Sequence, residues 1–114
     1  MTPSLHIEAN PEAPVACDMS TAADTPAERL AEYGRLFERS LLRRERRDGA
    51  VVFVFDAGAF TRVADLARRE AACCPFLEYR IETLADRVIW TITDPAGADG
   101  ANVVLDEFYA LPER

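Results

Sequence analysis

Apolar and polar positions change period several times along the chain, and each change marks an element. Thr25 suits a helix N-cap, Pro26 the first helical position, and Glu28 completes a capping box. Leu30, Tyr33, Phe37 and Leu41 follow at helical spacing, with Leu36 and Leu42 widening the stripe. Arg43-Arg44 complements the dipole at the end, so the pattern predicts a helix running to a stop at Asp48-Gly49. Val51-Val52-Phe53-Val54-Phe55 is a continuous apolar run and reads as a strand buried on both faces. A second helix is expected from Ala59 to Cys73. Phe60, Val63, Ala67, Ala71 and Cys74 trace its apolar face, Arg62, Asp65, Arg68 and Arg69 its wet one, and Pro75 stops it. Two alternating strands come next, Leu77 to Leu84 and Arg87 to Thr93, around a tight turn at Ala85-Asp86. Beyond an Asp94-to-Gly100 loop, Val104, Leu105, Phe108 and Leu111 define a last helix.

The segment before Thr25 is rich in Pro, Ala, Ser and Thr. It predicts a flexible leader over residues 1–13, with a short strand at Val15-Ala16-Cys17 tying it to a single domain over residues 14–114. The fold class that follows is α+β: a small, largely antiparallel sheet of three to four strands, covered on one face by about three helices.

Charge and composition narrow the function classes. The 114 residues carry a net charge of −7, which argues against a general nucleic-acid partner, since gripping phosphates needs a cationic face. The basic run Arg43-Arg44-Glu45-Arg46-Arg47 reads as a solvated helix end in so acidic a chain. No apolar stretch approaches the ~20 residues that cross a bilayer, and no secretory signal pattern opens the chain. The expected setting is the cytoplasm, where thiols stay reduced, with no membrane partner.

Chemistry concentrates at Cys73-Cys74-Pro75-Phe76. Adjacent thiols joined to a third, Cys17, in a chain with the single histidine His6 point to sulfur chemistry rather than to a mixed nitrogen and sulfur zinc site. Three readings stand side by side. In the first, Cys73 and Cys74, with Cys17 as a third ligand, hold a soft ion such as Hg(II) or Cu(I); Zn(II) would need a fourth ligand, for which Glu70 is the local candidate. In the second, Cys73 or Cys74 is a redox or nucleophilic thiol acting on a small thiol-reactive ligand. A helix C-terminus and the nearby Glu70 disfavour a thiolate, while Arg68, Arg69 and Arg80 would offset them. In the third, the cysteines are small core residues of a dimerising domain, a homodimer with Trp90, Tyr79 and the sheet at its seam.

The segment Leu66 to Ile81, LARREAACCPFLEYRI, resembles small bacterial proteins of uncharacterised function that carry a CCPF motif. Their further marks are an Ala-Cys strand near the start, here Ala16-Cys17, and a helix ending in Leu-Leu-x-Arg. Related segments are associated with mercury-resistance settings and MerR-type regulators. The resemblance therefore implies thiophilic-metal handling, with Cys17, Cys73 and Cys74 as candidate ligands. The acid expected immediately before the CCPF is replaced here by Ala72, and the nearest one is Glu70.

Overall fold

A computed structural model describes residues 2–112; residue 1 and residues 113–114, the outer ends of the expected leader and domain, lie outside the described residues. Among the described residues the chain forms five strands and three helices. They are β1 (Ser4–Ile7), α1 (Pro26–Ser40), β2 (Leu41–Arg47), β3 (Ala50–Asp56), α2 (Phe60–Cys73), β4 (Glu78–Leu84), β5 (Arg87–Thr93) and α3 (Ala101–Ala110). A 3-10 turn at Ala57–Ala59 leads into α2. The strands make one antiparallel sheet in the order β1-β4-β5-β3-β2. The α+β class is as expected, with one strand more than the upper expectation.

Two corrections account for that count. The first concerns α1. Its capping box is present, with Thr25 Oγ1 accepting from Glu28 N and Glu28 Oε1 accepting from Thr25 N. The helix nonetheless stops at Ser40, and Leu41–Arg47, expected to finish it, is a strand paired with β3. In LLRRERR neither period is visible, because the residues on both faces are polar. Asp48-Gly49 is therefore a two-residue hairpin turn between the paired Arg47 and Ala50, with Gly49 at φ +73°. Arg44 and Arg46 point to the helix side. Arg44 donates to the carbonyls of Tyr109 and Leu111 at the exposed end of α3, and Arg46 to Asp106 and Asn102. A cation at a helix C-terminus satisfies orphan carbonyls and opposes the dipole. Leu42, expected on the apolar stripe, is instead 52% exposed.

The second correction concerns the N-terminal segment. The strand lies at Ser4–Ile7, inside the expected leader, and pairs with β4; Val15-Ala16-Cys17 is irregular. Leu5 and Ile7 alternate toward the core, which gives this short strand its register.

All three helices pack on one face of the sheet. Register rows Phe53–Trp90–Ile81 and Val51–Ile92–Tyr79 meet Tyr33, Leu36 and Phe37 of α1, Val63, Leu66 and Ala67 of α2, and Leu105 and Phe108 of α3 in one cluster. Trp90 and Tyr79 are fully buried here, so neither supplies a dimer seam. The Trp90 ring stacks 6.3 Å from Tyr33.

Backbone signs at the two hairpin turns give a test. Ala85, at φ 53°, holds the left-handed conformation that Gly49 adopts without penalty. We expect Ala85→Gly to stabilise the fold and Gly49→Ala to destabilise it, each by about 1 kcal/mol in urea unfolding.

Candidate functional site

The sulfur-bearing residues meet where the end of α2, the start of α1 and the N-terminal segment converge. A helix that ends inside a protein leaves carbonyls needing donors. Here the chain supplies them from both sides. Cys74 N donates to Glu70 O (2.6 Å) and Asp18 N to Cys73 O (2.9 Å). Tyr79 OH donates to Cys74 O (2.8 Å), and Asn10 N to Pro75 O (2.8 Å). Two of these four donors belong to the segment before Thr25, which thereby lies against the CCPF turn.

That docking brings Cys17 onto Cys74. The two are joined in a disulfide, with Cα atoms 4.4 Å apart and a sequence separation of 57. A cross-link closing so long a loop lowers unfolded-chain entropy by an equivalent of about 4 kcal/mol. The bridge is asymmetric: Cys17 is exposed while Cys74 is 1% exposed. Cys73 is a buried free thiol at the same place. In this oxidised arrangement no group of three or more His, Cys, Asp and Glu side chains among the described residues is poised to hold a metal ion.

All three cysteines nonetheless line one cavity of about 80 Å³, together with Met19, Arg29, Tyr33 and Glu70 and an apolar wall that includes Leu30, Val104 and Phe108. This is room for an ion or a few waters. It falls well short of a drug-sized ligand.

Glu70, expected as a fourth metal ligand, has another task. It is 7% exposed, its Oε1 accepts from Arg29 Nη1 (2.8 Å) and its Oε2 accepts from the Tyr33 hydroxyl (2.5 Å). Arg29 is itself 4% exposed and turns the rest of its fork to Asp24, through Nε and through Nη2 (2.7 Å). Asp24 also meets Arg69, which continues to Glu32 and Asp65. Burial, reinforced by the Glu70 charge, pushes the Tyr33 phenol well above its ordinary range, so it stays a donor. Burial and then Glu70 and Cys73 raise Tyr79 likewise. The Arg29 hydrogen bond holds the Asp24 carboxyl down at about 2, from 3.8.

Met19 and Arg29 were missing from the sequence expectation, which placed Tyr33 on the apolar stripe of the first helix and not at the site. Arg29 was discoverable: it precedes Tyr33 by four residues and so shares the buried face of α1. Glu70 lies in phase with Val63 and Ala67 on α2. Two opposite charges in phase with apolar stripes are the signal of a buried pair. Met19 offers only its spacing, Cys17-Asp18-Met19, and no helical or strand period exposes it.

Comparison with known family models, curated proteins and solved structures finds no match.

Removing one partner of a buried pair strands the other charge. Arg29→Met should cost about 3–5 kcal/mol in urea unfolding, and the double variant Arg29→Met/Glu70→Leu should recover most of the loss. Asp24 sets a pH signature. Its carboxyl is depressed in the folded state, so its contribution is present above pH 3.8 and is lost as pH falls through about 2. Acid titration of stability should therefore fall less steeply across that window in Asp24→Asn than in the parent.

Proposed function

We propose that the protein binds a thiophilic metal ion, Hg(II) or Cu(I), at the reduced Cys17, Cys74 and Cys73 thiols, with the Cys17–Cys74 disulfide as its closed state. The observation that carries this reading is the convergence of three cysteines from two distant stretches, with the Met19 thioether beside them, on one ion-sized cavity. Thiolates and thioethers are the donors that soft ions prefer.

Opening the site takes two electrons and two protons. Two molecules of a low-molecular-weight thiol reduce the bridge, giving Cys17 and Cys74 thiols and one external disulfide. An entering ion then displaces the thiol protons and is held by two or three sulfurs, so affinity rises with pH. The preference for low coordination follows from Glu70, whose two oxygens already serve Arg29 and Tyr33. A tetrahedral Zn(II) would have to draw its fourth ligand out of that buried ion pair or from Glu107 on the cavity wall. We set the protein in the cytoplasm, where glutathione would favour the open dithiol form. No described helix is long and apolar enough to cross a membrane.

One feature favours a second reading, a thiol–disulfide oxidoreductase. The exposed Cys17 and buried Cys74 have the asymmetry of an attacked and a protected sulfur, with Cys73 adjacent.

Titration of the fully reduced chain with Hg(II), Cu(I) and Zn(II), followed by thiolate-to-metal absorption and native mass spectrometry, tests the proposal. One Hg(II) or Cu(I) per chain should survive millimolar glutathione, Zn(II) should not, and Cys17→Ser or Cys74→Ser should abolish retention. Loss of every ion to glutathione overturns metal binding. If the bridge then re-forms and breaks rapidly against glutathione, the oxidoreductase reading takes its place.

A further inference from the structure

The sheet has a second face that the helices leave uncovered, and three of its register rows run the full width from β2 to β4. These are Arg43–Val54–Ile89–Glu82, Glu45–Val52–Thr91–Arg80 and Arg47–Ala50–Thr93–Glu78. A shorter row, Asp56–Arg87–Leu84, flanks the first of them, and Ser4 and His6 of β1 continue the face beyond β4, with His6 paired to Glu78 (2.7 Å). None of these residues belongs to the helix-side core. Val52 and Val54 sit low in the central strip, 5% and 7% exposed, while Ala50, Ile89, Thr91 and Thr93 are half-buried. The strip is bounded by two charged columns of opposite pattern. On β2 it reads Arg43, Glu45, Arg47; on β4, in the same row order, it reads Glu82, Arg80, Glu78. Glu45 already bridges Arg43 (3.2 Å) and Arg47 (2.8 Å), which confirms that the β2 column shares one face.

We propose that this face pairs with the same face of a second copy, about a twofold axis parallel to the strands and midway between β5 and β3. Rotation about that axis lays β2 of one copy over β4 of the other, and β3 over β5, without changing the row. Arg43 then faces Glu82, Glu45 faces Arg80 and Arg47 faces Glu78, each twice by symmetry. Val54 meets Ile89, and Val52 meets the Thr91 methyl. Packed sheets lie about 10 Å apart with strands nearly aligned, a gap that arginine and glutamate side chains can span.

The other in-plane twofold, perpendicular to the strands, sets each strand on itself with rows reversed. Arg43 would face Arg47, Glu82 would face Glu78, and Glu45 and Arg80 would each face their own copies. Like charges in opposition disfavour that arrangement when the axis passes through the middle row, whereas a half-row shift sets Arg43 on Glu45 and Glu82 on Arg80. Only the axis parallel to the strands pairs position 43 with position 82, so rescue by paired charge reversal distinguishes the two. The apolar strip is narrow, and association leans on ion pairs at its rim that salt screens. The surface lies across the sheet from the sulfur cavity, and the proposal stands independently of the metal reading.

Charge reversal on the full chain, followed by sedimentation velocity and light scattering, provides the test. The parent should be a dimer that dissociates as salt rises. Arg43→Glu and Glu82→Arg should each weaken it about tenfold or more. Mixed together, these two variants should form heterodimers more tightly than either self-associates, because every facing pair is again opposite in sign. The double variant Arg43→Glu/Glu82→Arg should recover the parent affinity. Misfolding cannot produce that rescue. A parent that stays monomeric through the millimolar range, a dimer indifferent to both reversals, or weakening without rescue would each overturn the proposal.

Discussion

Burying Glu70 where α1 crosses the end of α2 is the constraint on which the rest of this molecule turns. A carboxylate withdrawn from water needs a cation and further donors, and Arg29 and Tyr33 supply both from successive turns of α1. Arg29 in turn requires Asp24, which fixes the chain just before the helix. The same Tyr33 stacks on Trp90 and so carries the placement of α1 into the centre of the sheet. A single buried charge thus sets how the two helices meet and how both sit on the strands. It also decides what the neighbouring cavity can be. With Glu70 committed, the cavity is left with the sulfurs of Cys17, Met19, Cys73 and Cys74 and the Glu107 carboxylate on its wall.

The CCPF turn depends on a second requirement, the need of a helix end for hydrogen-bond donors. Pro75 ends α2 and leaves a run of carbonyls facing inward. Tyr79 and the N-terminal segment answer them, and Cys17 arrives on Cys74 as a consequence of that docking. The thiols are assembled by main-chain chemistry that is indifferent to sulfur. This is why a pair so far apart in sequence can share one small cavity.

The arginine-rich strand β2 shows how one polar run divides between two tasks. Arg44 and Arg46, on the helix side, hold the exposed end and flank of α3. Arg43 and Arg47, on the open side, frame Glu45 in a charged column. The alternation is that of any strand, but it is silent in a hydropathy profile because both faces are charged. The sheet therefore presents one apolar face closed by helices and one striped face whose charges run in opposite senses at its two margins.

How much of this was legible beforehand follows from where each signal resides. The capping box at Thr25, the stop at Pro75, the apolar run of β3 and the alternation of β4 and β5 are local patterns. Backbone sterics and periodic burial determine them within a few residues, and the sequence alone was enough to predict these elements and the α+β class. The candidate cysteines were legible too, as chemistry rare enough to name itself. What only the tertiary structure decided were matters of pairing between distant segments. Whether Leu41–Arg47 coils or extends depends on the free edge of β3, and Ser4–Ile7 is a strand only because β4 offers it hydrogen bonds. Glu70 became an ion-pair partner because α1 brought Arg29 and Tyr33 to it. Cys17 found Cys74 through the carbonyls of a helix end. Each of these outcomes is an energy shared between residues far apart in sequence, and no window along the chain contains both halves of it.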